Sequence, residues 1–391
     1  MGVHKKGGLV GGFDQLRAPD APTISVTAGL GKVTVTFTNP SDVGGGAISS
    51  YTATAIASGV STGATSATSP LEITGLSNGT TYSVTGLANN AFGVSPYSDA
   101  SSATPSSSNV GILAGGLSGA GEAIDFIYIT STANASDFGD LFLGVSNNPA
   151  AVANSSRYIF AGGFTASSNT NVIQYGTWSG GSMADFGDLI NARNGTGGVN
   201  NDTRAVFAAG STADQNVIDY VTIASTGNAT DFGDLTQGRE EVRGVNSTTR
   251  GVFIGASSYN VIDYVTIAST GNATDFGDLL SAATAQGGAC SNSTRGLYAG
   301  GFRSGSTIDV IQYITIASTG NATDFGDLLA ATRYLDGVST STRAVFMGAA
   351  SANTMQYVTI GSTGNATDFG DLTANRVQSP AGTSNAHGGL S

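Results

Sequence analysis

The chain has 391 residues, room for two to four ordinary domains or one long repeat array, and 57 of them are Gly. Charged residues make up only 11% and there are just 8 Pro, which fits short strands joined by glycine turns and excludes collagen and long solvated helices. With 27 acidic against 15 basic residues, the formal net charge of −12 speaks against nucleic-acid binding through clustered Lys and Arg. The single cysteine, Cys290, excludes an internal disulfide, and two histidines without Cys partners make no recognised zinc pattern.

In chain order, residues 1–17 form a glycine-rich segment without periodicity, expected to serve as an anchoring arm. His4-Lys5-Lys6 is its only basic cluster. No apolar stretch of signal-peptide length follows it, and no run anywhere reaches transmembrane length, so neither a secretory signal nor membrane insertion is expected.

Residues 18–105 alternate polar and apolar side chains at Lys32–Phe37, Tyr51–Ala55 and Tyr82–Leu87, which predicts strands separated by short turns. The entry Pro19-Asp20-Ala21-Pro22, Phe37, Pro40, Tyr51, Leu76 six residues before Tyr82, and Ala88–Gly93 followed by Ser98 make this stretch resemble a fibronectin type III domain. The resemblance implies a sandwich whose Tyr82 ring is buried with its hydroxyl bonded to backbone upstream.

Residues 106–391 are dominated by a repeat. Asp-Phe-Gly-Asp-Leu begins at Asp137, Asp185, Asp231, Asp275, Asp324 and Asp368, at intervals of 44 to 49 residues. Each copy holds four short runs rich in Val, Ile, Thr, Tyr and Phe, such as Gly244–Ser247, Arg250–Gly255, Val261–Ile267 and Thr274–Leu279. Four strands in about 45 residues is the spacing of a β-propeller blade, and the alternation excludes a helical array. The first copy starts at Val110 without a first strand, whereas Pro380–Asn385 reads as a first strand without a repeat. The two are expected to complete one blade, closing a six-bladed ring and removing its open edge. The segments Arg295–Gly301 and Ile311–Tyr313 resemble a kelch repeat, with the motif Phe standing where that family has Trp.

The twelve motif aspartates account for the whole net charge, since the remainder is 15 acidic and 15 basic. The expected role is structural: Phe buried between blades, Asp capping turns, Gly allowing close approach. Calcium binding is the alternative. Arg157, Arg204, Arg250, Arg295 and Arg343 recur in one slot, where an ion pair to a motif Asp is expected, against a central arginine ring for an anion. The sequons at Asn228, Asn272 and Asn321 lie in Gly-Asn-Ala-Thr turns, where Asn is expected at positive φ.

Comparing copies within the chain separates near-identical turns, between strands one and two and between strands three and four, from variable connections. The variable ones are expected on one face, where ligand contacts usually reside. They contain Arg239, Glu240, Glu241 and Arg243, and the receptor-contact candidates Tyr259, Phe302, Arg303, Arg333 and Tyr334, whose aromatic rings with Arg suit sugars or a protein epitope. No catalytic residue, metal or cofactor is assigned, because no acid outside the motif recurs as a hydrolase pair would require.

A fibronectin-like module before such repeats resembles virion and tail-fibre proteins of tailed bacteriophages, particularly those of marine bacteria. That resemblance implies an all-β, non-enzymatic virion component, anchored to other virion proteins by the arm and fibronectin-like domain and contacting a host-surface glycan or protein. Decoration of capsid, neck or tail without a receptor and, further off, a glycan-acting enzyme are the alternatives. Self-association is left open.

Overall fold

The computed structural model describes residues 16–29, 31–77, 79–105, 109–117, 121–178, 180, 182–211, 216–255, 259–281, 286–350 and 352–390. Among them every regular element is a strand, and there is no helix that could cross a membrane. The chain divides into two compact units, residues 1–107 and 108–391. Apart from Leu16 and Arg17, the expected arm lies outside the described residues.

In the first unit the three expected strands are all present. Thr23–Gly29, Lys32–Thr38 and Leu71–Ile73 form one antiparallel sheet. Val60–Ser66, Ser50–Ala57, Tyr82–Asn90 and Gly93–Val94 form a second, and Ser101–Ala103 also pairs with Tyr82–Asn90. Alternate residues of these strands, among them Val33, Val35, Phe37, Ala53, Ile73 and Val84, make the core. Phe37 packs 4.7 Å from the Tyr51 ring. Gly86 leaves it space, since a Cβ there would stand 2.5 Å from a Phe37 ring carbon. Tyr82 is buried, and its hydroxyl accepts the Ser77 N–H at 3.0 Å.

The second unit contains six antiparallel sheets, each with the strand order expected for one repeat. The third sheet is representative: Gly197–Asn200, Arg204–Ala208, Val217–Thr222 and Thr230–Asp234 pair in sequence. In the first sheet the place of the first strand is filled by Pro380–Ser384, paired with Val110–Gly115 so that Pro380 faces Gly115 and Ser384 faces Gly111. Asn385 extends the pairing, its Oδ1 accepting the Val110 N–H at 3.0 Å. Among the described residues the fifth sheet alone carries an added short strand, Phe302–Arg303, folded back on Ser306–Thr307.

Successive sheets are bonded in a closed succession. Arg157 of the second sheet donates to the Ile223 carbonyl of the third, Arg204 to Ile267, Arg250 to Ile316 and Arg295 to Ile360. Arg343 of the sixth sheet returns to Ile129 of the first at 3.1 Å. First strands are neighbours in the same cyclic order, Pro380–Ser384 lying beside both Asp336–Ser339 and Ala150–Ala153. The recurring arginines therefore pair with no motif aspartate and form no central ring. Each lies over the tyrosine of its own third strand, 4.3 to 4.7 Å from the ring centroid, because a guanidinium can stack on a ring while its edge donates to a carbonyl.

The motif itself is an edge bulge. In the third sheet Ile218 faces Gly233 and Asp219 faces Asp231, so Phe232 is the extra residue, and the same shift recurs in every sheet. Phe232 is buried in one core cluster with Phe253, Val265 and Ile267 of the next sheet, as expected for a residue buried between repeats. Gly233, at φ +145°, admits the neighbouring turn: a Cβ would meet the Gly271 carbonyl at 2.6 Å. The turn asparagines play the part expected of Asp. Asn272 Oδ1 accepts the Asp234 N–H at 3.1 Å, and Asn228, Asn321, Asn365 and Asn134 repeat the contact. Asn is not at positive φ in these turns; the preceding glycines, such as Gly271 at φ +153°, are.

Candidate functional site

The structure sorts the variable-connection residues into buried and exposed groups. Arg239 and Arg243, expected among exposed contacts, are buried. Arg239 reaches the Asp263 carboxylate at 2.6 Å in the fourth sheet. The same pairing joins Arg193 to Asp219 and Arg376 to Asp125. Burial pushes the Asp219 carboxyl up and the Arg193 guanidinium down, while their mutual attraction opposes both shifts. Arg243 Nε donates to the Gly287 carbonyl at 3.1 Å and Nη2 to Asn148 Oδ1 at 3.3 Å, with Asp336 3.7 Å away.

Phe302, Arg333 and Tyr334 are brought together at the fifth sheet. The Arg333 guanidinium carbon lies 4.6 Å from the Phe302 ring centroid and 4.7 Å from that of Tyr334. All three side chains are part-exposed. Arg303, beside Phe302 on the added strand, donates to Ser281 Oγ at 2.6 Å. Tyr259 does not join them: it is exposed in the connection after Arg250–Ile254 and, among the described residues, stacks on no ring. Leu280 and Leu329, which follow the motif leucines of the fifth repeat's neighbourhood, are also about half exposed.

The centre of the cycle is occupied by the protein itself. Asn200 Nδ2 donates to the Ala153 carbonyl, Asn246 Nδ2 to Asn200, Ser291 Oγ to Asn246, Ser339 Oγ to Ser291 and Ser384 Oγ to Ser339. This belt joins the last residues of six first strands and is open only where Ala153 offers no donor. There His387 Nε2 lies 2.9 Å from the Ala153 carbonyl, and the Gly388 N–H donates to Ser291 on the far side. Gly388 and Gly389 have no room for a Cβ, which would stand 2.2 Å from Asn292 and 1.8 Å from Asn246. Burial holds the His387 imidazole below its usual range, with the Ala153 bond and Asp202 acting the other way. The cavities left around the centre measure about 40 and 30 Å³, enough for water alone.

Among the described residues no three His, Cys, Asp or Glu side chains group as a metal site. The motif aspartates stand in separate pairs, one on each outer strand. The buried Arg–Asp pairs were missed by sequence reasoning although a signal existed. The carbonyls of Ser146, Arg193, Arg239 and Thr332 each accept an N–H from Gly116, Gly163, Gly210 and Gly301, which marks one slot. Where that slot is Arg, the next sheet carries Asp in its third strand; after Ser146 and Thr332 it carries Gln174 and Gln356. No protein-family model matches the sequence, and no curated protein matches it.

Proposed function

We propose that the protein is a non-enzymatic virion component of a tailed bacteriophage, a tail-fibre or adhesion protein that displays its variable connections to the host surface. In this reading residues 18–105 are a fibronectin type III-like module, the six sheets of residues 106–391 are the blades of a propeller, and the arm and module bind other virion proteins. The observation that carries the adhesive role is the part-exposed cluster of Phe302, Arg333 and Tyr334, assembled from two different variable connections. The near-identical turns are by contrast consumed in joining sheets, through Asn272 to Asp234 and its equivalents. Binding by varied loops on a rigid frame is the common arrangement for recognition.

The test is adhesion of the purified protein to host cells, with localisation of the protein in the virion by cryo-electron microscopy. Wild type should bind cells, and Phe302→Ala with Tyr334→Ala should bind less without a change in melting. Absence of binding by wild type would favour a decoration protein of capsid, neck or tail.

A further inference from the structure

The arginines of the second unit are nearly all satisfied internally. Five donate to the isoleucine carbonyl of the next sheet, three pair with buried aspartates, Arg243 donates to Gly287 and Asn148, and Arg303 donates to Ser281. Arg333 is different: among the described residues its guanidinium contacts two aromatic rings and donates to no oxygen. Among the described residues no carboxylate pairs with Arg303 or Arg333, in a chain whose net charge is −12.

Two further features place the three side chains together. Phe302 lies on the added strand Phe302–Arg303, where the second sheet has only the single bridge of Phe164 to Asn169. Tyr334 sits at φ +63° with its N–H fixed to the Gln286 carbonyl at 2.8 Å; Asn148, Gly195, Glu241 and Gln286 hold positive φ in the other connections between sheets, so the backbone belongs to the repeat and the aromatic side chain to this copy. Rings on either contact immobilise a planar cation without using its hydrogen-bond donors. The ordering cost of a bidentate bond is thereby met before a ligand arrives.

We infer that Arg333, held by Phe302 and Tyr334, is the carboxylate-binding centre of a site for acidic saccharides. The guanidinium fork matches the two oxygens of a uronate-type carboxylate, and the neighbouring rings offer faces for the pyranose. The inference rests on the adhesive reading above and gives that surface a ligand class.

The full-length protein is titrated calorimetrically with polygalacturonate, neutral galactan and dextran sulfate, at low and at physiological ionic strength. Polygalacturonate should bind, galactan should not, and Arg333→Ala should weaken binding by roughly tenfold or more, the loss of one charge-assisted bidentate contact. Arg333→Lys, which keeps the charge and the packing stem, should recover only part of that loss. Melting curves of both variants should match wild type. Equal binding of galactan, binding of dextran sulfate alone, unchanged affinity in Arg333→Ala, or no binding of polygalacturonate would each overturn the assignment. Cell adhesion that survives Arg333→Ala would overturn it while leaving the adhesive reading intact. Polygalacturonate binding that depends on Arg333 in a protein that ignores host cells would sustain the site and remove the adhesive reading.

Discussion

The same slot in different sheets solves the problem of buried polarity in two ways. Gln174 is neutral, and both its side-chain atoms are satisfied by the Leu143 backbone at 3.0 Å. Asp219 is charged and needs Arg193, with the Ile190 N–H as a second donor at 3.0 Å. Removing one partner of a buried pair leaves an uncompensated charge and costs about 3–5 kcal/mol, whereas exchanging both for a neutral set is close to neutral. Arg193→Thr should therefore lower the melting temperature by roughly 10 °C, at about 2–4 °C per kcal/mol for a unit of this size. The double variant Arg193→Thr/Asp219→Gln, which copies Thr332 and Gln356, should regain most of the loss. Differential scanning calorimetry of the four-member cycle reads the coupling, and additive losses would mean that the pair is not a unit. At the candidate site, the residue types were legible because Arg and aromatics stood out in connections that otherwise vary. Their sorting was not read, although a cue existed: Arg239 stands four residues after its motif leucine with Asp263 in the next sheet, whereas Arg333 stands five after and meets two rings.

At the level of the element, the outer strand combines a bulge, a glycine and two aspartates. The bulge turns Phe inward, where burying it contributes about 1.5–3 kcal/mol, and the glycine lets the next turn approach. The aspartates leave each sheet's outer edge charged, a known protection against edge-to-edge pairing. Gly233→Ala should cost at least about 1–3 kcal/mol from the left-handed backbone alone, with the 2.6 Å approach to Gly271 adding to it. Chemical denaturation should show this as an earlier midpoint. Replacing Asp231 and Asp275 by Asn should leave the midpoint within about 0.5 kcal/mol, the usual range for exposed changes. Sedimentation of the Asp variants should show more self-association. The second sheet shows the same consistency in another place: Tyr158 fills the space that small residues occupy elsewhere, and the residue facing it across the strands is Gly176.

For the whole molecule, two predictions concern the segment from Ser379 onward. Deleting residues 379–391 removes the first strand of the first sheet and the last donor of the belt, so the second unit should melt earlier and less cooperatively than the polar sequence suggests. A melting curve unchanged by the truncation would contradict a closed cycle. The second prediction follows from His387, whose Nε2 faces the Ala153 carbonyl while Nδ1 accepts the Gly389 N–H. That pattern requires the neutral ring, and protonation of Nδ1 would abolish the Gly389 bond. Because burial lowers the folded-state pKa below the ordinary value of 6.5, the stabilisation is complete above that value and is lost as pH falls through and below it. Protection factors for hydrogen exchange at residues 387–390, corrected for the intrinsic pH dependence, should fall between pH 7.5 and 5, and His387→Ala should flatten that dependence.

The sequence by itself determined the all-β class, three strands of the first unit and the four-strand order of each repeat, but not the added strand Phe302–Arg303. Period-2 alternation, glycine turns and a repeat of 44 to 49 residues are local signals, written within a strand or within one copy. The pairing of Pro380–Ser384 with Val110–Gly115 was legible for the same reason, since one copy lacked the strand that the chain supplied elsewhere. Only the tertiary structure decided which charges are buried, that the recurring arginines bridge to carbonyls, and that His387 closes the belt at Ala153. Those outcomes join residues far apart in the chain, 251 positions in the case of Arg376 and Asp125. Burial and hydrogen-bond satisfaction depend on the neighbouring sheet, and no local period specifies which side chain that neighbour presents.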